Sequence, residues 1–357
     1  RRCLRPRAGA SQLLPRSPGF SLTTQNTSHG SLAASDFRPA PVLRGPHCQT
    51  ILANGPFSRC PVIELQRERI ELPDGDFLDL DWLVQDEGPA DAPIVILLHG
   101  LTGSAQSRYA QDLFTQIRSK GWRAVLMNFR GCSGHPNRLP RTYHAGETAD
   151  FEYILRLLQQ REPGRPTVAV GYSLGGNVLL KHLGVMQSQS PLSAGVAVSV
   201  PFDLEIAARS LGSGLSRIYQ INLLQQLRKS ILAKYQHGAS PFDWERAMSA
   251  RDFFEFDDAV TAPLHGFDGV SDYYSRSSSR QYLGAITVPT LILHAEDDPF
   301  VHRSAIPSAR ELGTSVTLEL SRHGGHVGFL QGFPGTTRNR WLPQRIIAHL
   351  AGIFAAS

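Results

Sequence analysis

Residues 167–177 read Thr-Val-Ala-Val-Gly-Tyr-Ser-Leu-Gly-Gly-Asn, and this stretch limits the possible folds more than any other. Small and β-branched residues from Thr167 to Val170 predict a buried strand. Gly171-x-Ser173-x-Gly175 follows at once, and helix formers through Leu179, Leu180 and Lys181 come next. A strand, a tight turn and a helix in succession put Ser173 at the apex of the turn. Such a turn strains the serine backbone, and the glycines on either side leave room for it. The hydroxyl then stands above the strand end, where the helix N-terminus presents the Leu174 N–H to a developing oxyanion. A plain glycine-rich turn would carry the same five-residue pattern, so the rest of the chain has to decide.

A nucleophilic serine needs a base, and the base needs an orienting acid. Residues 288–294, Val-Pro-Thr-Leu-Ile-Leu-His, predict a buried parallel strand that empties into Ala295-Glu296-Asp297-Asp298-Pro299-Phe300. A second strand-like stretch, 315–320, leads into Ser321-Arg-His-Gly-Gly-His-Val-Gly-Phe329. Acid and base candidates thus follow successive strands downstream of the serine. Asp298 is favoured as the acid, three residues after a small residue and fixed ahead of Pro299. Glu296 and Asp297 are then solvated loop carboxylates. His326 is favoured as the base, because the two glycines before it let the loop swing its side chain over the strand ends. His323 is expected to pack or hydrogen-bond locally. This histidine pair also has a spacing that metals use, but a zinc site needs further ligands. Cys3, Cys48, Cys60 and Cys132 all lie far from it in sequence. Upstream, the apolar run 93–98 ends in His99-Gly100-Leu101-Thr102-Gly103-Ser104. A turn there can supply a second oxyanion donor, the N–H of Leu101, with Thr102 as the alternative. The lysine and full glycine spacing of a phosphate loop are missing from it.

Further phrases extend the pattern: Phe37-Arg-Pro-Ala-Pro41, Pro46-His-Cys-Gln-Thr50, Asn128-Phe-Arg-Gly-Cys-Ser-Gly134, Asp298-Pro-Phe300 and His323-Gly-Gly-His-Val-Gly-Phe329. On these phrases the chain resembles the α/β-hydrolase superfamily and, within it, the YheT-like hydrolases of the AB hydrolase 4 family. The resemblance covers residues 36–357. It implies the α/β-hydrolase fold and cleavage of carboxylic esters, whether short- to medium-chain acyl esters or lipid-like ones. Carried onto this sequence, it makes Ser173 the nucleophile, His326 the base and Asp298 the acid. The mechanism expected from these three residues requires no metal and no organic cofactor. An acyltransferase using the same three residues, and a catalytically idle binding protein on the same scaffold, are the alternatives.

The chain between these phrases alternates strand and helix, which predicts a mostly parallel, doubly wound α/β sheet. A hairpin is expected from Val62–Leu72 and Phe77–Val84 around Pro73-Asp-Gly75. Further strands are expected at 93–98, 123–128 and 193–200, with helices near 106–119, 147–160 and 342–355. Residues 201–285 interrupt this rhythm after the sixth expected strand. They hold a leucine-rich amphipathic stretch, Ile218 to Leu232, and an aromatic-rich segment from Phe242 to Tyr282. A helical cap over the site is the expectation there. Phe253, Phe254, Phe256, Tyr273 and Tyr274 line a pocket or fill core, with core the favoured reading. Cys132 falls near the site face but has no histidine partner to activate it.

Charge is unevenly placed. The formal net charge is +5, and residues 1–35 carry five arginines (Arg1, Arg2, Arg5, Arg7, Arg16) with no Asp or Glu. The remaining 31 basic and 31 acidic residues cancel, so the folded body has no basic excess with which to hold nucleic acid. The Ser-, Pro- and Gly-containing tail is expected to be disordered. It reads as an over-extended gene start, with a transit peptide as the other reading, and it lacks the apolar core of a secretion signal. No run approaches the length of a spanning helix, which leaves peripheral lipid contact only. Four scattered cysteines suit a reducing compartment, so a cytoplasmic location is expected, or an organelle if the tail is a targeting signal. The partner expected is a small-molecule ester, and oligomeric state is not legible.

Overall fold

The computed structural model describes residues 28–54, 63–85, 89, 91–332 and 341–356. Among the described residues nine strands form one sheet in the order β1-β9-β8-β7-β6-β4-β5-β3-β2. They are β1 (Ser31–Ala34), β2 (Leu65–Glu71), β3 (Phe77–Leu83), β4 (Ile94–Leu98), β5 (Arg123–Met127), β6 (Thr167–Tyr172), β7 (Ala194–Val198), β8 (Thr290–Ala295) and β9 (Val316–Ser321). Only β3 runs against its neighbours, pairing antiparallel with β2 and β5. The expected hairpin is therefore present, and Gly75 closes it at φ +86°, a left-handed value that glycine adopts without strain.

Alternate residues of the central strands feed two separate cores, one on each face of the sheet. In β4, Ile94, Ile96 and Leu98 pack into one core and Val95 and Leu97 into the other. The first core includes α3 (Ala149–Arg161) and α4 (Leu174–Met186), and the second includes α2 (Arg108–Ser119) and α11 (Trp341–Ala356). All five residues of β4 are buried, which is why this strand reads as an unbroken apolar run. The order turns back at β4, which lies between β5 and β6. Loops leaving β4 and β6 part there, and open α/β sheets bind ligands in the crevice that such a switch leaves.

Two expectations need correction. Residues 28–35 are not tail. Ser31–Ala34 pairs in parallel with β9, from Ser31 opposite Thr317 to Ala34 opposite Leu320. The adjoining Ser35 hydroxyl donates to Glu319 at 2.9 Å. Four residues without apolar alternation gave no strand signal; the backbone edge of β9 is what orders them. The rest of the expected disordered tail, residues 1–27, lies outside the described residues. The second correction concerns the stretch from Ile218 to Leu232. It is helix α6 (Arg217–Lys234), but its apolar residues do not share one face. Leu224 and Ile231 are buried, while Ile218, Ile221 and Leu232 are exposed.

The interruption at 201–285 is helical. It holds α5 (Leu204–Leu211), α6, α7 (Trp244–Ser249), α8 (Phe253–Phe256), α9 (Ala262–His265) and α10 (Val270–Ser277), all between β7 and β8. A π-helical turn, Asp257–Thr261, joins α8 to α9. Among the described residues, no helix is long and apolar enough to cross a membrane.

Candidate active site

Ser173 sits where β6 turns into α4, at φ 51° and ψ −117°. That conformation is costly for a residue with a Cβ and has to be imposed by its surroundings. The surroundings are tight. A Cβ on Gly171 would lie 2.4 Å from the Gly175 carbonyl oxygen, and one on Gly175 would lie 2.3 Å from that of Leu98. Both glycines of the Gly-x-Ser-x-Gly phrase are therefore required by backbone packing. Asn177, fully buried one turn into α4, donates to the carbonyls of Ala145 and Ser277 and accepts from the Ser279 N–H. It ties the serine turn to the C-terminal end of the helical insertion.

Asp298 follows β8 and His326 follows β9, and the structure brings both to Ser173. His326 Nε2 lies 3.0 Å from Ser173 Oγ. His326 Nδ1 lies 2.8 Å from Asp298 Oδ2 and 3.1 Å from Oδ1. With a carboxylate at Nδ1, that nitrogen carries the proton and Nε2 is left as the acceptor for the serine hydroxyl. His326 and Asp298 are 7% and 5% exposed, so their contact is largely screened from water. The Phe300 ring stacks on the imidazole with centroids 3.9 Å apart and planes 6° from parallel. Its N–H donates to Asp298 Oδ1 at 2.8 Å.

The loop that carries His326 is held by residues whose role is not legible in sequence. Helix α1 (Pro46–Asn54) lies against it. Thr50 Oγ1 accepts the His326 N–H at 2.9 Å. Buried Gln49 accepts from the Leu330 N–H and donates to the Leu43 and Leu330 carbonyls. A Cβ on Gly325 would lie 2.5 Å from the Pro46 carbonyl oxygen, so the glycine ahead of His326 lets α1 approach. The phrase Pro46-His-Cys-Gln-Thr50 thus serves as the clamp on the histidine loop. Asp297 is not a solvated bystander as expected. It accepts the Gly325 N–H at 3.0 Å and faces His323 Nδ1 at 3.4 Å, and burial raises its pKa.

Between β4 and α2 the chain passes close over Ser173: a Cβ on Gly100 would lie 3.3 Å from that of Ser173. Thr102 donates its N–H to Tyr143 Oη at 3.0 Å. Among the described residues the N–H groups of Leu101 and Leu174 have no acceptor, so of the two loop candidates Leu101 is the one left available. Thr102 is itself held at φ 55°, and its hydroxyl donates to Gln226 of α6 at 2.8 Å. His99 anchors the start of the loop. Its Nε2 accepts the Phe129 N–H at 3.1 Å and its Nδ1 lies 2.7 Å from the Gly100 oxygen. Complete burial lowers its pKa to about 4 and keeps the ring neutral.

Ser173 and His326 line a cavity of about 1140 Å³ whose other walls come from the helical insertion and from the loops after β4 and β5. Phe253, Phe256, Tyr273 and Tyr274 line it and are also buried in the sheet-side core, so both readings of these aromatics hold. Phe254 packs behind, edge-on to Tyr274. Cys132 lines the cavity as well, and burial pushes its thiol up to about 12, which leaves almost no thiolate near neutral pH. Beneath the site, Arg130 is buried between Asp74, Asp76 and Asp150 at 2.7–2.9 Å. This explains the arginine of the Asn128–Gly134 phrase as a structural node.

His144, Glu147 and His265 bring possible ligand atoms within 4.8 Å of one another. Glu147 is already paired with Arg141. Burial, with Lys181, Arg141 and Arg276 nearby, lowers His144 to about 3. Positive charge on several sides opposes a divalent cation there.

The alpha/beta hydrolase fold family matches residues 93–333. The chain is 43% identical to the candidate esterase YheT of Escherichia coli K12 over 317 residues, 87% of this chain and 92% of that one. It is 33% identical to the mouse phospholipase ABHD3 over 279 residues, 76% of this chain and 68% of that one. Among solved structures, an esterase of Pyrococcus furiosus, Pf2001, superposes with a TM-score of 0.53 at 17% identity. That match covers 81% of this chain and 93% of the other, and at this identity it bears on fold alone. The strand order, the strained serine turn and these likenesses agree: the chain belongs to the alpha/beta hydrolase fold family and, within it, to the YheT-like hydrolases.

Proposed function

We propose that the protein is a serine hydrolase of carboxylic esters, with Ser173 as nucleophile, His326 as general base and Asp298 as orienting acid. One observation carries the reading: an unbroken hydrogen-bonded line from Ser173 Oγ through His326 to Asp298 on the wall of a large, mostly apolar cavity. The names of the relatives, an esterase and a phospholipase, support ester chemistry. In the reaction, His326 Nε2 takes the hydroxyl proton as Ser173 Oγ attacks the ester carbonyl carbon. Asp298 holds the Nδ1–H tautomer and stabilises the imidazolium. The N–H groups of Leu101 and Leu174 donate to the tetrahedral oxyanion. His326 then gives its proton to the leaving alcohol, and water attacks the acyl-enzyme with the same histidine as base. No step calls on a metal or an organic cofactor.

The helical insertion would act as the cap that excludes bulk water and shapes the acyl pocket. The cavity exceeds what a short acyl group fills, which favours medium-chain or lipid-like esters. The test is covalent labelling with a fluorophosphonate probe. Wild type should label and Ser173→Ala should not, while hydrolysis of p-nitrophenyl esters falls by at least about 10³-fold in the variant. A folded wild type that neither labels nor hydrolyses esters from short to long chain would return the chain to the idle-scaffold reading.

A further inference from the structure

Helix α6 is unusual in having apolar side chains on every side. Tyr219, Leu223 and Leu227 line the cavity, Leu224 and Ile231 are buried, and Ile218, Ile221 and Leu232 face solvent. Ile218 and Ile221 are three residues apart and share a face, with Leu232 three helical turns beyond Ile221. Leu215, just ahead of the helix, is 65% exposed, as is Ile218, and Ile221 is 52% exposed. A second piece adjoins this strip. Tyr219 hydrogen-bonds and stacks with His47 of α1, and Ile51, one turn on from His47, is half exposed while also lining the cavity. Val42, just before α1, is more exposed still. Isolated exposed aliphatics need no explanation, but a contiguous group at the rim of an apolar cavity marks a contact surface.

Charge says what the contact is. Across residues 41–54 and 213–234 there are five basic side chains (Arg44, Arg217, Arg228, Lys229, Lys234) and no Asp or Glu. Among the described residues Arg44, Arg217 and Lys229 have no ion-pair partner. The rest of the folded body holds 26 Lys and Arg against 31 Asp and Glu, so the cations are concentrated here. A second copy seated on the same patch would set like charges against each other. Exposed aliphatic side chains on the same elements as the unpaired Arg44, Arg217 and Lys229 match the boundary of an anionic bilayer, where apolar tips enter the acyl region and cations meet lipid head groups.

We propose that the α1–α6 rim is a docking surface for an anionic lipid bilayer, seated so that the cavity opens toward the membrane. The rim contains none of the residues assigned to the reaction, so binding stands independently of catalysis. The test is co-sedimentation of the full chain with vesicles of phosphatidylcholine alone or mixed with phosphatidylglycerol. Wild type should bind the mixed vesicles more tightly, with the difference shrinking as salt rises. The double substitution Ile218→Ser, Ile221→Ser should weaken binding at least about tenfold while hydrolysis of a soluble short-chain ester is unchanged. Arg44→Glu with Arg217→Glu should abolish the preference for phosphatidylglycerol and leave the weaker binding to phosphatidylcholine. Ser173→Ala should bind vesicles like wild type, so that failure of the hydrolase reading and of this one are told apart. Folded wild type that ignores both vesicles, or variants that bind as wild type does, would overturn the proposal. So would a wild-type dimer that the isoleucine substitutions split, since a second copy would then be the occupant.

Discussion

The two sides of the site are built on opposite plans. On the sheet side, Ser173, Asp298 and His326 each follow a parallel strand, and short backbone-anchored loops hold them. Glycines that tolerate no Cβ, the Gln49 and Thr50 clamp and the stacked Phe300 leave those side chains little freedom. On the insertion side the walls are mainly aliphatic and aromatic, with polar contacts such as Thr102 to Gln226 and Tyr274 to Asp257 between them, and α6 exposes part of its apolar surface to solvent. The contrast teaches a division of labour. On the proposed function, chemistry that needs positions fixed to a fraction of an ångström falls to the strand ends, and selection among acyl chains, which needs volume, falls to the helices.

The most demanding check on that division is Asp298→Asn. The amide has nearly the same shape, so the fold and the cavity should survive, but it no longer stabilises the Nδ1–H tautomer or the imidazolium. We expect kcat to fall by about 10⁴-fold with KM little changed. Thermal unfolding and vesicle binding should stay near wild type. Steady-state kinetics on a soluble ester decide it. A loss of only a few-fold would mean that the carboxylate is structural, and the sheet side would lose its claim to the chemistry.

The wall should behave differently. Leu227 lines the cavity from α6 and is partly buried, so Leu227→Trp would fill space without touching the reactive groups. Esters of long acyl chains should lose about tenfold in kcat/KM, and short ones should be nearly unaffected, because a hydrophobic pocket discriminates by a kcal/mol or so per methylene. Equal loss across a chain-length series would show that α6 acts on the oxyanion loop, through the Thr102 to Gln226 hydrogen bond, rather than on the acyl chain.

The same division governs what could be read from sequence. The strand-turn-helix around Ser173, the apolar runs of β4 and β8 and the placement of Asp298 and His326 after successive strands were all legible, because buried parallel strands and glycine-bounded turns leave local signatures. Strand β1 was not, since its order comes from the backbone edge of β9 and not from its own side chains. The roles of Gln49, Thr50 and Tyr143 were not legible either. Each acts through a contact to a loop distant in sequence, and no periodicity encodes such a contact. Asp297 was misjudged as solvated because two adjacent carboxylates look alike until the Gly324-Gly325 turn folds back on one of them. The spread of apolar residues on α6 was visible in the letters, but a pattern that serves core, cavity and surface together reads as plain amphipathicity.

Acidity offers the finest separation of the two sides, with effects of opposite sign. Burial lowers His99 and His294, on the sheet side, from 6.5 to about 4. An unfolded chain would protonate both as pH falls through 6.5 while the folded chain does not. Their contribution to stability is therefore present above that pH and lost progressively toward about 4. Asp257, on the π-helical turn of the insertion, is raised from 3.8 to about 6 by burial, against the hydrogen bonds donated by Thr261 and Tyr274. Here the folded chain keeps a proton that the unfolded chain gives up. Its stabilisation is complete below 3.8 and disappears as pH rises through about 6. Asp257→Asn cannot ionise, so relative to wild type it should gain stability between about pH 4 and about pH 7, on the order of 1 kcal/mol for a carboxyl only partly shielded from water. His99→Asn would instead remove part of the acid-side loss. Denaturant melts of the three proteins across that range measure both slopes. If the Asp257→Asn curve merely runs parallel to wild type, the carboxyl is already ionised in the folded protein between about pH 4 and about pH 6, and the insertion wall carries a charge across that acidic range. Long apolar esters would then meet a charge beside Tyr274 throughout that range, where a raised pKa would have kept the wall neutral.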